Sequence, residues 1–312
     1  MTNYLTGPFL IAVAAGMIRS ATPVLYATLG EIITERSGIL NVGLEGIMLV
    51  GAFTSVAITF ETHQVFLGLL AAILAGALMG LLHAFLSIKF QANQVAVGIA
   101  MTIFGTGLSA YLGIPYVGKQ IETIGVCKIP ILSDLPVIGP IFFAHDFLVY
   151  GTFLLVPLLA FIINRTRLGL SLRAVGEEPQ SAAAAGINVE AVRYIATAIG
   201  AALAGLGGAY LSLVYAQGWS ENITAGRGWI ALGLVLFASW DPWKAVLGAY
   251  LFGGAISLQL RLQAAGSDVS PYLLGMIPYL LVIIVLSIGT ARRRKTPVGA
   301  PTALGLPYIP QV

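Results

Sequence analysis

Residues 66–88 read FLGLLAAILAGALMGLLHAFLSI, with no Asp, Glu, Lys or Arg. A helix rises about 1.5 Å per residue and the hydrocarbon core of a bilayer is about 30 Å thick, so roughly 20 apolar residues make one crossing. This stretch is long enough. Phe147–Ile163, Tyr194–Gln217 and Tyr272–Thr290 are likewise free of those four residue types. Strand-type alternation is absent, so helices are the spanning form.

Composition agrees. The 312 residues are 58% hydrophobic and only 9% charged, against roughly 25% charged in soluble domains. A surface so poor in charge needs lipid to cover it. The 37 glycines are often paired with alanine, as in AALAGLGGAY at 201–210. Each glycine would weaken a helix in water by about 1 kcal/mol. In lipid, small residues let helix backbones approach closely. The expected fold is an all-α, polytopic transmembrane bundle forming one domain over 1–312. About nine spans fall near 8–30, 42–60, 64–88, 91–112, 147–164, 193–216, 223–240, 242–261 and 271–290. The seventh has a glycine-rich start and reads either as a full crossing or as a broken, re-entrant element.

Several function classes drop out. One cysteine, Cys127, excludes an intramolecular disulfide, and His63, His83 and His145 are too far apart in sequence to form a ligand motif. No metal site and no cofactor is expected. There is no GxxxxGK[ST] phosphate loop and no catalytic constellation, so no catalytic residue is assigned. A net charge of +3 makes no case for nucleic acid. The first apolar run lacks a basic stretch before it, so no cleavable leader is expected.

Basic residues set the orientation, because Lys and Arg concentrate in short cytoplasmic loops. Arg165, Arg167, Arg173 and Arg193 form one cluster and Arg292, Arg293, Arg294 and Lys295 another. Placing both inside leaves 113–146 and the N-terminus outside, and makes the tail 291–312 cytoplasmic, its cluster resting on anionic headgroups. SGILNVGLEGIMLVGAF (37–53) and ENITAGRGWIALGLVLFA (221–238) share a polar, glycine-rich entry into an apolar helix. They read equally as inverted repeats or as a chance likeness of glycine-rich helices.

The loop 165–193, RTRLGLSLRAVGEEPQSAAAAGINVEAVR, is too polar to span. Pro179 suits a first helical turn, Glu177 and Glu178 suit a helix N-terminus, and Gly186 suits a C-terminal cap after Ala182–Ala185. This predicts one short helix with a small-residue face, able to fit a groove on a partner, or else a plain connecting loop.

ERSGILNVGLEGIMLVGAF, LRAVGEEPQSAAAAGI, LSDLPVIGPIFFAHD, ENITAGRGWIALGLVLFASWDPWKAVLGAYLFGG and APTALGLPY together resemble the ABC importer permeases of the branched-chain amino acid and simple sugar superfamily. Within it they are similar to the shorter of the two paired permeases of the nucleoside and simple-sugar branch. The resemblance covers nearly the whole chain. It implies a bacterial inner-membrane importer with a second, longer permease, two cytoplasmic ABC ATPases and an extracytoplasmic binding protein. It also makes 165–193 a cytoplasmic coupling loop, with Arg173, Gly176, Glu177, Glu178, Pro179, Ala182, Ala183 and Gly186 at the ATPase contact.

For the substrate pathway, polar residues inside apolar spans are the candidates, since burying them in lipid is costly. Asn41 and Glu45, four apart, are placed on one helical face, lining the pathway or joining helices. Arg227 and Trp229 occupy the corresponding place in the second half, where a Glu45–Arg227 pair is one reading. Asn93 and Gln94 open the fourth span with amides suited to a base edge or sugar hydroxyls. Glu31, Glu35 and Arg36 are placed in the first inner connection, touching the ATPase or bracing its contact. Two other readings remain: an ion-coupled secondary transporter, for which Glu45 is the one good intramembrane carboxylate, and an intramembrane enzyme, for which His83 lacks a partner.

Overall fold

A computed structural model describes residues 7–266, 269–291 and 299–309. The chain runs α1 (Gly7–Arg36), α2 (Leu44–Thr62), α3 (Val65–Ala84), α4 (Gln94–Gly113), β1 (Cys127–Lys128), α5 (Ile138–Phe142), β2 (Ala144–His145) and α6 (Phe147–Arg165). It continues through α7 (Arg167–Glu177), α8 (Pro179–Ala184), α9 (Val189–Tyr210), α10 (Arg227–Ala238), α11 (Pro242–Ala264) and α12 (Pro271–Ala291). π-Helical turns extend α3 through Lys89 and α9 through Tyr215. The only strands among the described residues are β1 and β2, an antiparallel pair.

Seven helices among the described residues are long and apolar enough to cross a bilayer: α1, α2, α3, α4, α6, α9 and α11. The seventh and the ninth of the nine expected spans are not among these seven. The seventh expected span shrinks to α10, whose 12 residues reach only about 18 Å, well short of a bilayer core. The chain before it is held out of the helix by left-handed backbone at Asn222, Ala225 and Gly226. The last expected span falls on α12, whose 21 residues, Pro271–Ala291, rise about 30 Å, the length of a crossing. The basic cluster Arg292–Lys295 lies outside the described residues.

Small residues set the packing. α9 lies against α1, α2 and α3. A Cβ on Gly208 would sit 1.9 Å from the Met48 carbonyl oxygen, and one on Gly30 would sit 2.2 Å from that of Gly200. No larger side chain fits at either crossing, which is the close approach that small residues permit. The opposite faces carry exposed leucines, such as Leu67, Leu70, Leu74 and Leu78 on α3, a surface suited to acyl chains.

The connections gather at two ends. One end holds the α1–α2 turn, α7, α8, the α10–α11 turn and the segment 299–309. The other holds 117–146 and the start of 216–226, joined by a bridge between Val117 and Trp219. Trp219 is only 4% exposed and packs edge-on to Phe53 with centroids 5.9 Å apart. It is a core residue, not part of an aromatic belt at the membrane surface.

Candidate functional site

The centre of the bundle contains a junction between two helix starts. The first turn of α2 packs on the middle of α4, where Gly46 faces Met101 and Thr102. α10 begins beside that same turn. Its N-cap, Gly226, has no side chain to satisfy the free N–H groups that every helix start carries. Glu45 supplies the missing acceptor from across the bundle. One carboxylate oxygen accepts from the Thr224 hydroxyl at 2.5 Å and from Gly226 N–H at 2.7 Å. The other accepts from Gly228 N–H at 2.6 Å. An acidic group at a helix N-terminus is favoured by both the free donors and the helix dipole. Gly228 permits the approach, since a Cβ there would lie 2.4 Å from the Glu45 backbone nitrogen.

Asn41 does not share a helical face with Glu45, because α2 starts only at Leu44. It lies in the connection from α1, buried, with its side-chain oxygen accepting from Gly43 N–H at 3.0 Å. Its own N–H donates to Glu31 at 2.8 Å. Gln94 braces the same connection by accepting from Leu40 N–H at 2.7 Å. Asn93 is the N-cap of α4 and accepts from Ala96 N–H at 3.0 Å. Gln94 and Asn93 are therefore committed to backbone groups on opposite sides of the α4 start.

Arg227 and Glu45 do not form an ion pair. The guanidinium donates to the Thr224 carbonyl at 3.1 Å and sits over the Tyr215 ring, 5.6 Å from its centroid. It borders a cavity of about 250 Å³, shared with Tyr215, Phe252, Gln259 and Tyr279. Trp229 is 44% exposed and points away from this junction.

Glu31 and Glu35 are not in a connecting loop. Both are buried in the last two turns of α1. Glu31 holds Asn41, and Glu35 accepts from the Trp240 indole N–H at 2.5 Å. Their (i, i+4) spacing beside Ile32 and Ile33 was the available signal for a helical position. Trp240 and Thr224, which complete these contacts, are both distant in sequence from the carboxylates they serve. Arg19, a residue inside the first span, reaches the Val214 carbonyl at 2.9 Å.

The loop after α6 contains two helices where one was expected. α7 starts under a Thr166 cap, whose hydroxyl accepts from Gly169 N–H at 3.2 Å. Arg173 lies along it, its side chain turned back to the Gly169 carbonyl at 3.4 Å. Gly176 is wedged against the Arg36 carbonyl oxygen, where a Cβ would sit at 2.2 Å. α8 is the helix read from the sequence, with Pro179 in its first turn and Gly186 at φ +83° just after it. Glu177 closes α7 and accepts from the Thr302 hydroxyl at 2.8 Å, so it serves the C-terminal segment and not the start of α8. Glu178 is exposed ahead of Pro179. Ala182 is buried against Val175 and Val189, and Ala183 is half-buried beside them. The exposed face consists of Ser181, Ala184, Ala185 and Gly186.

Residues 13–286 match the family described as the permease component of the branched-chain amino acid transport system. The chain belongs to this permease family. Its relatives include the putative glucose ABC transporter permease TsgC13 of Haloferax volcanii, 38% identical over 93% of this chain and 96% of its own length. The guanosine ABC transporter permease NupQ of Bacillus subtilis is 38% identical over 93% of each chain. The nucleoside ABC transporter permease NupC of Lactococcus lactis is 36% identical over 95% of this chain and 96% of its own. No solved structure matches. With seven apolar helices of spanning length, the chain is a multi-pass membrane protein and a permease subunit. No group of three or more His, Cys, Asp or Glu side chains among the described residues forms a metal-binding set.

Proposed function

We propose that this permease is half of the membrane conduit of an ATP-driven importer, and that its cargo is a nucleoside or a simple sugar. The observation that carries this reading is α8. It is a six-residue helix with a small-residue face open to solvent. Its other face is locked through Ala182 to Val175 of α7 and Val189 of α9. A partner pressing on that face pushes directly on the start of α9, the helix that packs against α1, α2 and α3. Two cytoplasmic ABC ATPases supply the push at Arg173–Gly186. A second, longer permease completes the conduit, and an extracytoplasmic binding protein delivers cargo to the face bearing 117–146. In this orientation the N-terminus is outside and the tail is cytoplasmic, in a bacterial inner membrane.

Relatives whose printed substrates are glucose, guanosine and nucleosides support hydroxylated cargo, with or without a base. Asn41, Glu45 and Gln94 act in this scheme as the braces that hold the junction of α2 and α10. Arg227 lines a cavity beside that junction whose walls are mainly apolar, with Gln259 and the tyrosines as its other polar groups. ATP changes the state of the conduit only if it binds the two states with different affinity.

An ion-coupled carrier is less well supported, because both Glu45 oxygens are already taken by three donors. The test is uptake of labelled guanosine and glucose by the complete complex in proteoliposomes. Uptake should require ATP inside and vanish when the ATPases cannot hydrolyse it. Uptake that survives an inactive ATPase would overturn the reading.

A further inference from the structure

The C-terminal segment Gly299–Ile309 does not trail from the last helix; it is laced across the end of the bundle that carries α8. Ala303 N–H donates to the Gly176 carbonyl at 2.9 Å, and the Thr302 hydroxyl donates to Glu177 at 2.8 Å, which fixes the segment to the end of α7. Gln180 of α8 donates to the Ile309 carbonyl at 2.8 Å. On the other side, Gly305 N–H donates to the Gly38 carbonyl at 3.1 Å, in the turn that leads into Asn41 and Glu45. The left-handed backbone of Gly305, φ +77°, aims that donor.

Two arginines pin the lacing. Arg193, at the start of α9, is 1% exposed. It donates to the Ser37 carbonyl at 3.2 Å and the Leu306 carbonyl at 3.4 Å. Arg36, at the end of α1, donates to the Gly299 carbonyl at 3.3 Å and the Trp240 carbonyl at 3.2 Å. Burying a guanidinium among carbonyls alone is costly compared with leaving it in water. Neither arginine forms a direct ion pair, although Glu177 and Asp241 lie near enough to Arg36 to favour its charge, and each joins the segment to a different helix end. Together they tie the segment to the end of α1, the α1–α2 turn and the α10–α11 turn.

We propose that Gly299–Ile309 is the strap that carries displacement of α7 and α8 to the α1–α2 turn, with Arg193 and Arg36 as its positioning residues. This deepens the importer reading and rests on it. Without the strap, α8 still offers its open face to an ATPase, and α9 still leaves the loop. What is lost is the hydrogen-bonded tie from α7 and α8 to Gly38; the direct contacts of Gly176 with Arg36 and of Arg193 with Ser37 remain.

The signature is therefore uncoupling. Two strap variants are compared with the unaltered complex in proteoliposomes: a chain ending at Val298, and Gly305→Pro, which removes one donor and forbids the backbone angle. Thr302→Val, which removes only the hydroxyl to Glu177, provides a mild third case. Arg193→Lys and Arg193→Ala test the pin. ATP hydrolysed and substrate imported are both counted, in complexes matched for subunit stoichiometry. The ratio of ATP consumed to substrate imported should rise at least about fivefold for the truncation and Gly305→Pro. It should rise less for Thr302→Val, and less for Arg193→Lys than for Arg193→Ala. Hydrolysis should stay within about twofold of the unaltered complex. An unchanged ratio in stable complexes overturns the strap, as does a proportional loss of both activities, which would mean a role in folding or ATPase docking only. If the unaltered complex imports nothing with ATP, the importer reading itself fails, and that result is separate from any strap variant.

Discussion

Glu45→Gln is the sharpest test of the junction between α2 and α10. The replacement keeps the shape and removes one acceptor oxygen. If the amide oxygen faces Thr224 and Gly226, the amide NH₂ faces Gly228 N–H, a donor that now sits 2.6 Å from its acceptor. Two donors then oppose each other in a buried site. A hydrogen bond to a charged group contributes about 1.5–3 kcal/mol, and an unsatisfied buried group costs about 1–3 kcal/mol. The expected loss is about 3–5 kcal/mol. At roughly 2 °C per kcal/mol for a chain of this size, thermal unfolding of the purified protein should fall by about 5–10 °C. Thr224→Val removes only one of the three donors and leaves the carboxylate otherwise held, so its loss should be about 1.5–2 kcal/mol. Uptake should fall in the same order, since the start of α10 loses its anchor. If Glu45→Gln unfolds within a degree of the unaltered protein and transports at the same rate, the carboxylate is not what holds α10, and the reasoning fails.

Gly208→Val should destabilise strongly, because even its Cβ would lie 1.9 Å from the Met48 carbonyl oxygen; overpacking costs about 1–3 kcal/mol or more, read as lost folded protein in detergent. Trp240→Phe strips Glu35 of its indole donor and should cost about 1–3 kcal/mol, measured by thermal unfolding. Ala184→Asp, on the open face of α8, should cut ATP-driven uptake several-fold with unfolding unchanged; unaltered uptake would remove α8 as the docking face. Outside the membrane, the His63 ring holds the exposed Glu122 carboxyl below its usual pKa through a 2.8 Å contact. That small contribution is present above the ordinary carboxylate value and fades as pH falls through the lowered one. In His63→Gln, carboxyl-carbon NMR should show Glu122 titrating closer to its usual value.

The spanning helices were legible because lipid imposes one demand, length of apolar run, and α3, α6 and α9 meet it within a few residues of the expected limits. The small helix at Pro179 was legible for a local reason as well: proline, alanines and a terminal glycine each encode their position. The pattern failed where tertiary contact overrides local preference. Asn41 and Glu45 look like one helical face at four-residue spacing, yet Glu31 holds Asn41 and Gln94 holds Leu40 in a non-helical connection, and α2 starts only at Leu44. α7 was missed because its one buried edge is sealed by Arg36 and the distant segment around Pro301. Glu45 is not the one buried carboxylate, since Glu31 and Glu35 in α1 are at least as buried, and its partners are mostly backbone N–H groups, which carry no signature in a sequence. Arg227, the obvious cation, was the wrong partner for that reason.

That choice of partners follows a rule that holds across the described residues. The only ion pair there is His63–Glu122, on the surface. Inside, Glu31 is met by a backbone N–H, Glu35 by an indole, Glu45 by a hydroxyl and two backbone N–H groups, and Arg193 by carbonyls. Pairing each with an opposite charge would mean desolvating a second ion, a cost that attraction often fails to offset. Helix starts and turns already carry free donors and acceptors that must be satisfied somewhere. One buried charge at such a place settles two debts of polarity at once. It also fixes where the backbone is unwound, because only unwound backbone offers the groups. The ionisable residues of this bundle therefore mark its non-helical joints: Glu45 the start of α10, Glu31 the entry to α2, and Arg193 the crossing of the C-terminal segment. A conduit that must change shape bends at its joints, so replacing Glu45 or Arg193 by a neutral residue should affect transport more than neutralising a lipid-edge charge such as Lys89.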